Sequence, residues 1–365
     1  MIRIFGKPYS PLALLATLAI GAAGVMAAIW LGAPIPFLFG PVVAVGAAAV
    51  AGLRIGDAPM CFPQELRGMS VPVIGVAIGG AFSPALLREA GEWWPSLLAL
   101  LLYVPLLQFV GYALYRRAGR LDPITAWYGA MPGGFVEALM MGEERGAHVG
   151  LLASLQFLRL ILCILLVPLG FSVIHGGPVG SAAGVQLPGA GLALGLLDAA
   201  ILLVCAVLGF RLYRMFNIPA GMVVGPMLLS GAAHLGGIVQ GQPPLWLIQA
   251  TQFVIGLSLG VRFTGVTRGD LWRAFRVASF MVGLTLALAA ALGALLGSLV
   301  GETAEAIVLA FAPGGLVEMS LVAFSLGIST VYVTAHHVVR IVLTVFFSRF
   351  TGDVVLRRFP AGGGG

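Results

Sequence analysis

The chain has 365 residues, 59% of them hydrophobic and only 9% charged, with a mean hydropathy of +1.04. A soluble domain carries roughly 25% charged residues, so this composition excludes a soluble protein and describes an integral membrane one. The net charge of +6, from 20 Lys and Arg against 14 Asp and Glu, lies at the ends of apolar runs and forms no basic stripe, which argues against nucleic acid as a partner.

Twelve apolar segments follow in chain order. The first six lie near 11 to 31, 34 to 53, 69 to 87, 94 to 115, 123 to 142 and 149 to 174. The other six lie near 190 to 210, 218 to 238, 246 to 261, 277 to 300, 304 to 326 and 329 to 348. The first segment, preceded by Arg3 and Lys7, is too long for the core of a signal peptide and reads as a first span. Cys61, Cys163 and Cys205 are too few and too scattered for a disulfide framework or a metal knuckle. Trp30, Trp93, Trp94, Trp246 and Trp272 sit near segment ends, where an interfacial aromatic belt places them.

The two sets of six are copies. PGGFVEALMMGEERG from Pro132 returns as PGGLVEMSLVAFSLG from Pro313, an offset of 181 that also relates Gly75 to Gly256, Gly79 to Gly260, Gly146 to Gly327 and Arg159 to Arg340. An earlier pair, PIPFLFGP from Pro34 and PAGMVVGP from Pro219, matches at 185. The chain therefore reads as two membrane repeats, 1–180 and 181–365.

The fifth segment of each repeat carries Pro-Gly-Gly at its centre, which a continuous helix does not tolerate cheaply. If that segment crosses, each repeat spans six times and both point the same way. If it dips in and returns, each spans five times and the second is inverted. With five crossings and a cytoplasmic N-terminus, 17 basic residues fall inside and only Arg88 outside; with six the division is 10 against 8. The positive-inside rule selects the inverted arrangement. The expected fold is an all-α polytopic membrane protein of about ten transmembrane helices in two inverted-topology repeats, each with a re-entrant or broken Pro-Gly-Gly segment.

Repeats of that kind with broken helices are a recurring plan of secondary transporters, whose solute sits near the midplane at the repeat interface. Gly133, Gly134, Gly314 and Gly315 would leave backbone groups free to coordinate a solute, or else let two helices cross closely. Glu137 and Glu318 follow the motifs at equal spacing, and Arg159 and Arg340 each lie 22 residues further on. Ionisable groups at this depth face a partner or a cavity. The glutamates read as substrate- or proton-coupling groups, with the arginines salt-bridged to them or clamping an anionic substrate; the other reading is a structural tie within each repeat. Gln156 occupies the place of His337, three residues before the arginine, and His337 either titrates in function or packs as a polar group. Asp198 lies mid-span in its segment and reads as a coupling carboxylate or a helix-to-helix hydrogen-bonding group.

No catalytic residue or metal site is expected: the chain has no His-Glu-x-x-His, no phosphate-binding loop, no Gly-x-Ser-x-Gly and no dinucleotide fingerprint. No cofactor is expected either.

The paired PGG(F/L)VE motifs, the late Arg159 and Arg340, the Gly40-Pro41 and Gly225-Pro226 pairs and the run AHHVVR together resemble the AbrB-duplication family of bacterial inner-membrane proteins. The resemblance covers nearly the whole chain. Members are labelled ammonia monooxygenases in some cases and regulators of gene expression in others, and the family is grouped by remote similarity with transporters built from inverted repeats. A monooxygenase would need clustered imidazole and carboxylate ligands, which this sequence lacks. The resemblance implies a multi-pass inner-membrane protein, here with both termini cytoplasmic. Its expected function is secondary transport of a small solute, or alternatively gene regulation through partners from within the membrane. Its expected partners are the lipid bilayer and a small-molecule or ion substrate, with a homodimer allowed.

Overall fold

The computed structural model describes residues 2–33, 35–84, 88, 90–174, 176, 194–216, 221–265 and 268–357. A hairpin of β1 (Ile2–Ile4) and β2 (Lys7–Tyr9) leads into α1 (Pro11–Trp30) and α2 (Pro36–Val50), and a second hairpin, β3 (Arg54–Ile55) and β4 (Ala58–Pro59), leads into α3 (Gln64–Gly79). Next come α4 (Trp94–Arg117), α5 (Pro123–Gly129), α6 (Phe135–Glu144) and α7 (Val149–Ile174). The second repeat supplies α8 (Leu196–Phe216), α9 (Gly221–Leu235), α10 (Leu245–Gly260), α11 (Arg268–Val300), α12 (Ala304–Phe311), α13 (Leu316–Leu326) and α14 (Thr330–Arg357).

Seven spans are long and apolar enough to cross a membrane: α1, α4, α7, α8, α11 and α14 each contain one, and α10 forms one together with the 3-10 turn Val261–Phe263 that continues it. The duplication reappears in their starting points. From Gln64 to Leu245, Pro123 to Ala304, Phe135 to Leu316 and Val149 to Thr330 the offset is 181, and from Pro11 to Leu196 and Pro36 to Gly221 it is 185. Several helices outrun their apolar segments: α3 starts at Gln64 rather than 69, α11 at Arg268 rather than 277, and α14 ends at Arg357 rather than 348. Hydropathy marks only the part of a helix suited to hydrocarbon, and polar turns continue beyond it. Of the five tryptophans assigned to the interface, Trp30, Trp94, Trp246 and Trp272 are exposed, whereas Trp93 is buried edge-on against Tyr332 at 5.2 Å.

The chain divides into two compact units, each drawing on both repeats. The first comprises Met1–Leu87, Leu165–Val266 and Ser320–Val331. In it α2 packs on α1 and α10, while their counterparts repeat the pattern, α9 packing on α8 and α3. Glycine makes these crossings possible. A Cβ on Gly40 would collide with the backbone of Gly24, and at the matching crossing one on Gly225 would collide with Gly209. Likewise a Cβ on Gly75 would strike the carbonyl of Val223, and one on Gly256 that of Leu38. The periodic glycines of the repeat therefore mark backbone-to-backbone contacts, where a methyl group has no room. Outside the spans, Lys7 pairs with Glu65 at 2.7 Å.

The second unit comprises Arg88–Ile164, Thr267–Met319 and Tyr332–Gly365. Here α4 packs on α5 and α11, α11 on α12, and α5 on α6. Trp127, Tyr128, Met131, Ala138 and Leu152 form a buried cluster backed by Tyr112 and Phe347. Arg273, at the start of α11, donates from Nε to Gly119 O at 2.7 Å and from Nη2 to Arg120 O at 2.6 Å, just past the end of α4. At their other ends, a Cβ on Gly301 would stand 3.1 Å from the carboxylate of Glu92.

Candidate functional site

Each fifth segment is two short helices separated by Pro-Gly-Gly, α5 and α6 in the first repeat and α12 and α13 in the second. Their beginnings are capped alike: Asp122 Oδ1 accepts from Thr125 N at 2.8 Å, and Thr303 Oγ1 from Ala306 N at 3.1 Å. Their ends pose a shared problem. Proline has no N–H, so Pro132 cannot donate to the carbonyl of Tyr128, which takes a long bond from Met131 N at 3.4 Å instead, nor can Pro313 donate to that of Leu309.

The last long helix of each repeat resolves it. Gln156 Nε2, on α7, donates to Tyr128 O at 3.0 Å and to Gly129 O at 3.1 Å. His337 Nε2, on α14, meets Leu309 O at 2.9 Å. A turn further along, Arg159 Nη1 donates to Met131 O and Arg340 Nη1 to Ala312 O, again matching positions. Arg340 Nη2 also donates to Gly314 O at 2.9 Å and to His337 Nδ1 at 2.8 Å. A carbonyl can only accept and a guanidinium can only donate. His337 is thereby fixed as the neutral tautomer with its proton on Nε2.

Both arginines are buried, Arg159 at 5% and Arg340 at 1% exposure, and their like charges repel. The partners of Arg340 are two carbonyls and a neutral imidazole. Gly133, from the opposite repeat, lies against it: a Cβ there would stand 3.5 Å from Arg340 Nε and 3.4 Å from Thr344 Oγ1. Gly134 has φ +69° and caps α6 in the left-handed region, a conformation that glycine adopts without strain. Gly314 lends its carbonyl to Arg340, and Gly315 its carbonyl to Met319 N, opening α13.

Glu137 is half-buried in the first turn of α6 and makes no ion pair among the described residues. The side chain of Glu318 lies outside the described residues. Asp198 belongs to the other unit. Helix α8 begins only at Leu196, so Asp198 sits in its first turn rather than mid-span, and its Oδ2 accepts from Gly241 N at 2.9 Å and Gln240 N at 3.3 Å. It fastens the approach to α10. The structure therefore gathers Gly133, Gly134, Gln156, Arg159, Gly314, His337 and Arg340 around the two breaks, while Asp198 belongs to the first unit.

Three participants were not singled out from sequence. Tyr103 donates to Phe311 O at 2.9 Å, and Gln108 donates to Trp127 O at 2.9 Å while accepting from Ser348 at 3.2 Å. Polar atoms within the segment 94 to 115 were the available signal for both. The third is Thr344, fully buried one turn beyond Arg340. Among the described residues no three His, Cys, Asp or Glu side chains converge as a metal set.

These features define a polytopic helical membrane protein with a matched pair of broken helices. The family model described as "Transition state regulatory protein AbrB" matches residues 37–355, and the chain belongs to this AbrB family. It is 24% identical over 330 residues to the "Putative regulator AbrB" of Escherichia coli (strain K12), covering 89% of this chain and 90% of that one. It is 26% identical over 292 residues to the "Uncharacterized protein YhjN" of Bacillus subtilis (strain 168), covering 75% of this chain and 74% of that one.

Proposed function

We propose that the protein is a secondary transporter of a small solute, built as two inverted repeats with ten crossings, with its solute site at the paired Pro-Gly-Gly breaks. The observation that carries this reading is the antiparallel course of α4 and α11. They are corresponding helices of the two repeats, yet the end of one bonds to the start of the other through Arg273, and the start of one meets the end of the other at Glu92 and Gly301. Corresponding helices that run in opposite directions are what an inverted duplication produces, and same-direction repeats would not produce them. The ten crossings would be the seven long spans with α2, α3 and α9. Those three have 15 or 16 residues and reach roughly 22–24 Å at 1.5 Å per residue, so they need local thinning of the bilayer or cover from neighbouring helices.

Broken helices are tolerated at membrane depth only where protein or a water-filled space surrounds them. The backbone around Gly133, Gly134, Gly314 and Gly315, with Arg159 and Arg340, would hold the solute, while Glu137 and Glu318 would couple it to an ion. No reaction is catalysed in this reading. The protein sits in the inner membrane with both termini in the cytoplasm. Uptake of radiolabelled solutes into proteoliposomes, with Glu137→Gln and Glu318→Gln as controls, is the test. Uptake that both variants reduce at least about tenfold supports the proposal. If no solute moves while a second protein co-purifies, it should be dropped for the alternative, a membrane-embedded regulator acting through partners, which the name of the Escherichia coli relative favours.

A further inference from the structure

His234, the penultimate residue of α9, meets a backbone carbonyl at each of its ring nitrogens. Nδ1 lies 2.8 Å from Ser230 O, and Nε2 lies 3.2 Å from Gly241 O. A carbonyl oxygen can only accept, and a neutral imidazole carries a single N–H. In either neutral tautomer, therefore, a ring lone pair points at an oxygen lone pair. The Ser230 hydroxyl donates to Val76 O at 2.9 Å, so its oxygen, 3.4 Å from Nδ1, is a further acceptor there. Nδ1 thus holds a proton, and the bond to Gly241 needs a second one on Nε2.

The position suits a cation. His234 stands in the last turn of α9, where the carbonyl ends of a helix favour positive charge. Gly241 is held from its other side by a carboxylate: Asp198 Oδ2 accepts from Gly241 N at 2.9 Å and from Gln240 N at 3.3 Å. One residue of the linker between α9 and α10 therefore lies between an anion at its N–H and the imidazole at its carbonyl. Gln242 Nε2 ties the same stretch to the end of α3, donating to Gly80 O at 3.2 Å. His234 is half-buried rather than sealed, so water can bring and remove its proton. The helices packed on α9 are α3 and α8. Toward this end α8 brings Asp198 and Cys205, whereas residues 70–84 and 236–255 contain no titratable side chain. Asp198 is the one charged group among them.

The matching linker of the first repeat is built differently. Thirteen residues separate α2 from α3 and carry the β3–β4 hairpin, whereas nine separate α9 from α10. This is where the repeat offset falls from 185 to 181. At the offset of 185, Ala49 matches His234 and Ala13 matches Asp198. Strand pairing orders the longer linker, and Asp198 with His234 orders the shorter one.

We propose that His234 is a proton-binding site: doubly protonated, it latches the α9–α10 linker to the end of α9 through Gly241, and loss of one proton releases the linker. The bond to Gly241 O is present in acid and is lost as pH rises through the titration of His234. In the topology proposed above this end of α9 faces outward, so the latch responds to the pH outside the cytoplasm. Only that sidedness rests on the transporter reading.

Hydrogen–deuterium exchange of the full chain in detergent, read by mass spectrometry on peptides covering 236–244, is compared at pH about 5.5 and about 8.5, either side of the ordinary histidine value. Corrected for intrinsic chemical exchange, the linker should exchange at least about tenfold more slowly at the acid pH, as loss of a charge-assisted hydrogen bond implies. His234→Gln, which takes up no proton, should exchange alike at both. Slow exchange at the ring carbon between the two nitrogens of His234 follows its protonation in the native chain. It should titrate together with the linker, which keeps the test decisive if the variant folds poorly. A native linker that exchanges alike at both pH values overturns the proposal. So does a pH dependence that survives in His234→Gln, or a linker that does not follow the ring. For sidedness, Gln240→Cys in a chain freed of its native cysteines should react with a membrane-impermeant maleimide in sealed right-side-out vesicles. Protection there would overturn the outward assignment and the topology behind it, and leave a proton latch on the cytoplasmic side.

Discussion

Gln156 and His337 differ in chemistry but play the same part at the two breaks, each donating to the carbonyl that a proline four residues on cannot serve. His337→Gln should therefore be tolerated, with a change in stability below about 1 kcal/mol and no new pH dependence of activity, since an amide supplies the donor in the other repeat. His337→Leu should cost about 1–3 kcal/mol by leaving Leu309 O buried without a donor. Unfolding midpoints of the two variants in detergent separate these outcomes, and a strong loss of activity in His337→Gln at normal stability would restore a titrating role. Gly134 offers a second test at this scale. Its φ of +69° makes Gly134→Ala unfavourable by about 1–2 kcal/mol from backbone strain, read as a lowered midpoint. Much of this site was legible in the sequence because the register paired its residues: Arg159 with Arg340, and Gln156 with His337. Thr344 was not, since a threonine among apolar residues, matched by a cysteine in the other repeat, carries no motif and reveals itself only through what it faces. Asp198 misled because Leu and Ala on both sides of Leu196 are equally apolar, so hydropathy could not locate the start of the helix.

Between helices, the repeat was written in glycine before any other residue. Gly24 with Gly40 and Gly209 with Gly225 are the same crossing made twice, in each case with no space for a Cβ. Gly40→Ala and Gly225→Ala should each push a helix pair apart and cost about 1–3 kcal/mol, visible as lower midpoints and a smaller monodisperse fraction on size-exclusion chromatography. Similar losses in the two variants are expected from the shared geometry; a neutral Gly225→Ala would mean that the second crossing is looser than the first. Sequence could place these glycines in register but could not say what each one touches. The pairing exchanges partners between repeats, α2 on α10 and α9 on α3, and such long-range choices depend on surfaces that a one-dimensional pattern does not order. Helix ends were blurred for a related reason, because polar turns of α11 and α14 continue past the apolar stretch that marks a span.

At the level of the whole chain, the proposed inversion of the repeats makes a prediction that no single residue can. Arg117 ends α4 and Arg276 lies in α11, on corresponding helices, and Arg273 bonds to the two residues that follow Ala118. Residues this close share one face of the bilayer, which is the cytoplasmic one in the topology proposed above. Glu92, whose carboxylate lies against Gly301, and Glu302, the next residue in the chain, then belong to the opposite face. Replacing Cys61, Cys163 and Cys205 with serine or alanine and introducing single cysteines turns this into a measurement. In right-side-out membrane vesicles, a membrane-impermeant maleimide should label Glu92→Cys and Glu302→Cys at once, and Arg117→Cys and Arg276→Cys only after permeabilisation. Two repeats pointing the same way would keep Arg117→Cys protected but expose Arg276→Cys in sealed vesicles. Labelling of Arg276→Cys before permeabilisation would sink the inverted arrangement and the transporter reading built on it. Protection of both arginine positions would leave the two broken helices entering from opposite faces, as the proposed inverted arrangement requires.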